Sequence, residues 1–225
     1  MIFVYAVTMI SIWLLFLLYH YLNPKKKQKD EVSLNHPEDR ICQMLYLHGE
    51  NLKYTVMEHF FDHELCDNII QFAEQYAKKK GWTRKRHASY PTTDIEITEL
   101  CPYYSIISEL VQNKIFHIIT KTYPVSVEDL GITEMFIAKY EKTKQSFLEE
   151  HEDGSEFSFI VALNNEYEGG GTFFPHLNKV VKLKKGDVLI FSGQNTHSGV
   201  KVVEGKRYIL TGFIHYKEEG YCCDS

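Results

Sequence analysis

The stretch HEDGSEFSFIVALNNEYEGGGTFF, residues 151–174, decides the fold, because it joins an H-x-D triplet, a β-forming run and three successive glycines. Alternate residues of a strand point to the same face, so His151 and Asp153 are predicted to present an imidazole and a carboxylate side by side. Such a pair could share a metal ion. The glycines at 169–171 predict a tight turn that lets Thr172 approach a ligand without hindrance from a Cβ atom.

Short β-like runs separated by turn residues surround this stretch, over residues 132–216. Their spacing predicts an antiparallel sandwich or barrel. Earlier in the chain, the pattern predicts a strand over 54–61, and then a helix that Asp62 caps and a glycine ends. A polar loop over 86–97 leads to a second amphipathic helix. The helices are therefore expected to support a β-rich core.

Length, charge and cysteine content limit the function. At 225 residues the chain has room for one globular domain and one appended element. The formal net charge of −5 argues against a phosphate-binding surface, so no nucleic acid is expected as a partner, and neutral or basic substrates fit better. The five cysteines are scattered without metal-like spacing and do not fix the compartment.

The first segment of the chain differs from the rest. Residues 2–22 contain no Asp, Glu, Lys or Arg, and a helix of that length can cross a bilayer. The absence of a short apolar core with a cleavage site favours an anchor over a signal peptide. We therefore expect a transmembrane anchor over 1–23, a polar tether over 24–50 and the main domain over 51–225. The lysines after the span favour a cytoplasmic domain by the positive-inside rule.

A third possible ligand lies in KKGDVLIFSGQNTHSG, residues 184–199, where His197 follows a predicted buried strand. Ten residues later, GKRYIL contains Arg207. Two imidazoles and one carboxylate hold non-haem Fe(II) and leave positions open for a co-substrate and O₂. An arginine can clamp the distal carboxylate of a co-substrate whose keto-acid end chelates the metal. The four residues therefore predict an iron site with a co-substrate clamp.

On these residues the chain, from about 54 to 216, resembles the 2-oxoglutarate and Fe(II)-dependent dioxygenases of the prolyl 4-hydroxylase and lysyl hydroxylase superfamily. The similar segments are AKYEKTKQSFLEEHEDGSEFSFIVALN, YEGGGTFF, KKGDVLIFSG, THSG and GKRYILTGF. The resemblance implies a mainly β fold with supporting α-helices and a double-stranded β-helix (jelly-roll) core. It implies Fe(2+) and 2-oxoglutarate as cofactors, O₂ and a protein or peptide substrate as partners, and L-ascorbate (vitamin C) as the reductant that rescues oxidised iron.

The resemblance also implies roles for individual residues. The catalytic iron ligands would be His151, Asp153 and His197. The 2-oxoglutarate site would consist of Arg207, which binds the distal carboxylate, with Tyr140, Thr172 and Phe213 beside it. The loop over 86–97 is similar to the mobile segment that covers the substrate in related enzymes, so Arg86 and Tyr90 are expected to bind substrate.

The activity that this resemblance implies first is hydroxylation of a peptidyl proline. A peptidyl lysyl hydroxylase is the alternative, since the basic clamp is Arg, as in lysyl hydroxylases. A non-catalytic membrane-tethered binding module is the alternative of another class, although no iron ligand is missing. The resemblance to short-anchored peptidyl hydroxylases places the domain in the endoplasmic reticulum lumen, whereas the flanking lysines favour the cytoplasmic face.

Overall fold

The structure, a computed structural model, describes residues 54–217 apart from Ala88, Pro102 and Pro124. The anchor and the tether predicted over 1–23 and 24–50 lie outside the described residues and stay predictions. Within the part of the chain that is described, no helix is both long and apolar enough to cross a membrane. That part is mainly β with supporting helices, as predicted.

Eleven strands form two antiparallel sheets in the described residues. They are β1 Tyr54–Met57, β2 Asp94–Glu96, β3 Leu130–Glu141, β4 Leu148–His151, β5 Phe157–Ala162, β6 Tyr167–Gly169, β7 Thr172–Phe174, β8 Lys179–Val181, β9 Val188–Ser192, β10 His197–Gly199 and β11 Val202–Tyr216. The larger sheet has the order β1-β9-β5-β11-β3-β2, with β6 paired to β11, and the smaller sheet has the order β4-β10-β7-β8.

Helices cover one face of the larger sheet. They are α1 His63–Lys80, α2 Tyr103–Leu110 and α3 His117–Thr122, with a π-helical turn Val111–Phe116 between the last two and 3-10 turns at Ile97–Glu99, Val127–Asp129 and Pro175–Leu177. Helix α1 begins as predicted, because the Asp62 carboxylate accepts a hydrogen bond from the Leu65 N–H at 2.6 Å. It ends at Gly81, whose φ of 84° a residue with a Cβ rarely adopts.

The buried side chains form two clusters, one on each face of the larger sheet. Phe159 and Leu210 belong to the cluster beneath the helices, with Ile69 of α1. Their strand neighbours Ile160 and Ile209 belong to the cluster shared with the smaller sheet. This alternation follows from the period of two in a strand. All six residues of β5 are buried because both faces of the strand are covered.

The structure differs from the sequence prediction in three elements. The strand expected over 54–61 ends at Met57, since His59 takes a positive φ of 54° and its N–H donates to the Asp187 carboxylate at 3.1 Å. The loop expected over 86–97 contains β2, which pairs with β3. The second helix is divided by its π-helical turn. Each difference depends on a partner that is distant in sequence or on helix packing.

Candidate active site

The H-x-D triplet lies where the smaller sheet meets a loop. Strand β4 ends at His151, so the prediction that both residues lie in one strand was wrong for Asp153. The Asp153 N–H instead donates to the Gly193 carbonyl at 2.8 Å, in the turn after β9. His197, the first residue of β10, pairs in register with His151. The sheet pairing and the loop bond therefore bring all three predicted ligands together.

The three side chains converge on one point. His151 Nε2 lies 3.3 Å from Asp153 Oδ1, and His197 Nε2 lies 3.7 Å from Asp153 Oδ2. The two imidazole rings are 4.4 Å apart between centroids, and the candidate ligand atoms all lie within 4.8 Å of one another. Two neutral nitrogens and one carboxylate oxygen in this arrangement suit a non-haem Fe(II) ion with open coordination positions.

Backbone carbonyls fix the orientation of both imidazoles. His151 Nδ1 lies 2.8 Å from the Glu149 carbonyl, and His197 Nδ1 lies 2.8 Å from the Asn195 carbonyl. A carbonyl can only accept, so each Nδ1 carries a hydrogen, and each Nε2 is the nitrogen that would give its lone pair to a bound metal. The Ser158 hydroxyl donates to Asp153 Oδ2 at 2.5 Å and orients the carboxylate.

The protonation of the triad follows from burial and mutual contact. Burial would raise the pKa of Asp153, but the hydrogen bond from His151, the nearby His197 ring and the hydrogen bond from Ser158 outweigh it, and the pKa is lowered. Burial lowers the pKa of His197 despite the attraction of Asp153. For His151, burial opposes protonation, but the bond to Asp153 raises the pKa. The carboxylate is therefore ionised and His197 is neutral, which are the forms that ligate metal.

A cavity of about 270 Å³ opens beside the triad, hereafter the main cavity. Arg207 lines it and is only 4 % exposed. No carboxylate of the described residues pairs with this guanidinium, and its Nε has no hydrogen-bond partner there. A buried, unpaired cation is costly unless a ligand supplies an anion. The site therefore fits a dicarboxylic keto acid that reaches from the metal to Arg207.

The remaining predicted co-substrate residues also line the main cavity. These are Tyr140, Thr172 and Phe213. The Arg207 guanidinium carbon lies 5.7 Å from the centre of the Tyr140 ring, and Phe213 packs edge-on against Phe136. Burial raises the pKa of Tyr140 to about 12, so its phenol stays neutral and can donate a hydrogen bond.

The glycine turn lies against Arg207. Gly169, Gly170 and Gly171 all have positive φ, as the predicted turn requires. A Cβ added at Gly170 would lie 2.7 Å from the Tyr167 ring and 3.1 Å from Cδ of Arg207. Gly170 therefore makes room for the Arg207 side chain as well as shaping the turn.

The two predicted substrate residues have different surroundings. Tyr90 lines the main cavity, and its ring lies 5.0 Å from the ring of His151. Arg86 is not part of the cavity lining: its guanidinium bonds to Asp94 at 3.1 Å, contacts the Glu134 carboxylate and lies over Phe136. These two carboxylates already engage the charge of Arg86. Its contact with substrate stays a prediction.

Several residues of the site carry no sequence signal. Ser158 and Gln145 contact the site or its covering loop only because of tertiary packing. His87, Ile160 and Thr211 line the main cavity from elements far apart in the chain. The alternation of β5 and β11 could have indicated that Ile160 and Thr211 share a face, but not that a cavity lies there.

Residues 135–215 match the sequence profile of the 2OG-Fe(II) oxygenase superfamily. The multifunctional procollagen lysine hydroxylase and glycosyltransferase LH3 of Rattus norvegicus is 27% identical over 166 residues, which cover 67% of this chain and 22% of the relative. Procollagen-lysine,2-oxoglutarate 5-dioxygenase 2 of Homo sapiens is 29% identical over 171 residues, with 68% and 22% covered. The chain thus spans less than a quarter of the length of these curated relatives.

Solved structures share the fold. The viral collagen prolyl hydroxylase of Paramecium Bursaria Chlorella virus-1, in complex with 2OG, superposes with a TM-score of 0.59 at 19% identity, covering 75% of this chain and 98% of that one. The prolyl hydroxylase of Trichoplax adhaerens gives a TM-score of 0.60 at 15% identity, covering 81% and 94%. The chain therefore contains a domain of the 2OG-Fe(II) oxygenase superfamily, which is homologous to part of the procollagen lysine hydroxylases and shares the fold of prolyl hydroxylases.

Proposed function

We propose that the domain hydroxylates a side chain of a peptide substrate, with Fe(II) and 2-oxoglutarate as cofactors. The proposal rests on the convergence of His151, Asp153 and His197 beside the buried guanidinium of Arg207, which no carboxylate in the described part of the chain pairs with. One cavity thus offers a metal site and an anion site to the two ends of one co-substrate. A structural ion-pair network would instead supply the arginine with a carboxylate.

Each group of residues in the site would have a separate role in the reaction. His151, Asp153 and His197 would hold Fe(II), which when bound couples O₂ and the decarboxylation of 2-oxoglutarate to insertion of one oxygen atom into a C–H bond. Arg207 would bind the distal carboxylate, and the Tyr140 and Thr172 hydroxyls would complete the co-substrate site. The apolar side chains Phe136 and Phe213 would keep water out of the cavity. Ascorbate would re-reduce iron that oxidises without substrate turnover.

Lysine is the first target to test and proline the second, which reverses the order that the sequence alone suggested. The two curated relatives described above are procollagen lysine hydroxylases, and their similarity is one of sequence. The prolyl hydroxylases resemble the chain in fold, at 15% to 19% identity, and proline is kept because their cores superpose. The partners of the reaction would then be a peptide or protein and O₂.

Mass spectrometry can test this proposal directly. The purified protein is incubated with Fe(II), 2-oxoglutarate and ascorbate, together with matched peptides that contain either a central lysine or a central proline. The expected result is a mass gain of one oxygen on one of the peptides, with stoichiometric succinate. Tandem spectra locate the modified residue, and His197→Ala serves as the inactive control.

The alternative of another class, a non-catalytic membrane-tethered binding module, predicts a different outcome. Such a module would bind peptide without consuming 2-oxoglutarate in the presence or absence of peptide. Binding of labelled peptide without succinate release would therefore favour this alternative over the hydroxylase.

We also propose that residues 2–22 anchor the protein in a membrane as a single span. These residues lie outside the described part of the chain. The support is their apolar length in the sequence. The catalytic domain would face the endoplasmic reticulum lumen, by analogy with anchored peptidyl hydroxylases, although the lysines after the span favour the cytoplasmic face. A glycosylation sequon engineered near Asn35 tests the orientation, since only a lumenal tether would be glycosylated.

A further inference from the structure

A second depression, hereafter the side groove, adjoins the main cavity and has a volume of about 200 Å³. Ser89, Tyr90 and Leu148 line both spaces, so the side groove is a continuation of the main cavity along the surface. When the target side chain of a peptide enters the main cavity, the residues that flank the target lie along the surface beside it. The side groove is positioned to bind such flanking residues.

Both walls of the side groove are held in place by one buried side chain. Gln145 is 7 % exposed, its Nε2 donates to the Pro91 carbonyl at 2.8 Å, and its Oε1 accepts from the Thr93 N–H at 2.5 Å. These bonds tie the loop on one wall to the β3–β4 connection on the other. Hydrogen bonds thus fix the two walls of the side groove relative to each other, so that it is not a gap between two independent loops.

The surface of the side groove suits an extended peptide. Tyr90 is 40% exposed on one wall and Phe147 is 46% exposed on the other. Exposed aromatic rings that flank a depression supply contact area to a ligand at a low entropic cost. The two rings therefore provide apolar contacts on both sides of a bound chain.

The charge of the side groove is opposite to that of the whole protein. Six of the nine residues 78–86 are Lys or Arg, and Arg84 from this stretch lines the groove. Arg86 is engaged by Asp94 and Glu134, but Arg84 has no carboxylate partner among the described residues. The adjacent Lys85 is exposed as well. The uncompensated charge on this wall is therefore positive.

The opposite wall adds a second cation and one anion. Lys144 pairs with Glu141 at 2.7 Å, but its side chain is 69% exposed, so water screens the pair and a ligand can share the ammonium. Glu149 is the carboxylate on the lining of the groove. It is outnumbered by Arg84 and Lys144. An acidic side chain on a bound peptide would find cations on both walls.

We infer that the side groove binds the segment flanking the target residue and selects for an Asp or Glu in it. This inference rests on the proposed peptide hydroxylation, whose substrate it narrows to peptides with an acidic flank. It departs from the expectation drawn from the net charge of −5, which favoured neutral or basic substrates. Local charge, and not net charge, acts on a ligand in a groove, because water and salt screen distant charges.

The test is equilibrium binding without turnover. Full-length protein is loaded with Fe(II) and 2-oxoglutarate in the absence of O₂, and fluorescently labelled peptides with one central target residue are titrated by anisotropy. An Asp is placed in turn at each flanking position, with Asn at the same position as the matched control. At one or two adjacent positions the Asp peptide should bind about two- to fivefold more tightly, and added salt should reduce this preference.

Arg84→Gln and Arg84→Glu should remove the preference for Asp, whereas Lys121→Glu, at the far end of α3, should keep it. Equal dissociation constants at every position, or a preference that survives Arg84→Gln, would overturn the inference. Binding to RNA or anionic vesicles that needs Arg84, without an Asp preference, would overturn it as well. Hydroxylation in air is scored separately: selective binding without oxygen insertion would refute the proposed function and leave the groove assignment standing.

Discussion

His151 and His197 are oriented by backbone carbonyls, whereas Asp153 is oriented by the Ser158 hydroxyl. The orientation of the two imidazoles thus depends on the path of the backbone. The Asp153 carboxylate is instead held by a side-chain hydroxyl, so we expect a change at Ser158 to weaken the proposed metal site without removing a ligand.

Removal of an iron ligand should reduce Fe(II) binding more than removal of Ser158, which orients one of the ligands. His151→Ala, Asp153→Ala or His197→Ala should abolish Fe(II) binding and 2-oxoglutarate turnover, because three ligands hold the metal. Ser158→Ala should lower Fe(II) affinity by about 10- to 100-fold and leave some activity. Calorimetric titration with Fe(II) under anaerobic conditions measures both effects, with Thr120→Ala as the control. Full activity in any ligand variant would contradict the iron assignment.

A change at Arg207, at the other end of the main cavity, should affect the binding of the co-substrate alone. Arg207→Gln should raise the Michaelis constant for 2-oxoglutarate, at a cost of about 2 to 5 kcal/mol, because a buried carboxylate loses its charge partner. The Michaelis constant of Arg207→Lys should fall between those of the parent protein and Arg207→Gln, since an ammonium keeps the charge but not the bidentate geometry. Initial rates of succinate formation against 2-oxoglutarate concentration provide the measurement. An unchanged constant in Arg207→Gln would move the anion site elsewhere.

At the scale of elements, a connection and a loop depend on each other. Gln145, in the β3–β4 connection, bonds to the loop that carries Tyr90, and Tyr90 packs on His151. The wall of the main cavity is therefore held from outside by a residue that does not line that cavity.

Gln145→Leu should loosen the loop that carries Tyr90, which forms this wall of the main cavity. The change removes the amide bonds to Pro91 and Thr93 at similar volume, so the free energy of unfolding should fall by about 1 to 3 kcal/mol. The Michaelis constant for peptide should rise, while decarboxylation of 2-oxoglutarate without peptide should persist, because the ligands and the clamp are untouched. Urea unfolding and paired succinate assays check the two effects. Equal loss of both activities would show that the whole site had been disturbed.

A second polar contact fixes helix α1 to the larger sheet. Glu74 accepts hydrogen bonds from Lys139 at 2.7 Å and from Tyr208 at 2.5 Å. Lys139 also lies 5.0 Å above the centre of the Trp82 ring. Burial alone would raise the pKa of Glu74, but the bonds from Lys139 and Tyr208 outweigh it and lower the pKa.

The stability that Glu74 confers should therefore depend on pH. A lowered pKa means that the carboxylate stabilises the fold above its ordinary value of 4.5 and loses that effect as pH falls through the lower, folded value. Glu74→Gln should reduce the melting temperature at neutral pH, and the difference from the parent protein should shrink below about pH 4. Thermal unfolding across pH checks this. A constant difference would mean that the charge is not responsible.

At the scale of the whole molecule, the membrane anchor should be separable from catalysis. Removal of residues 1–23 should give a soluble protein with unchanged 2-oxoglutarate turnover, since the described domain holds every predicted site residue. Fractionation with detergent, followed by a succinate assay, measures both properties. If the shortened chain still sediments with membranes, another part of the protein binds them.

The sequence by itself determined which residues are candidates for the site, and the class of fold. The H-x-D triplet, His197 and Arg207 carry their identities in the chain, and the alternation of β5 and β11 is local, so both could be read without coordinates. Helix α1 was predictable for the same reason, because Asp62 and Gly81 act on their immediate neighbours.

Only the tertiary structure decided how these parts meet. The end of β4 at His151, the bond from Asp153 to Gly193 and the capture of Arg86 by Asp94 and Glu134 depend on partners distant in sequence. The same holds for the positive side groove on a protein of negative net charge. Local pattern fixes which face a side chain takes, whereas the position of its partner depends on the folding of the whole chain.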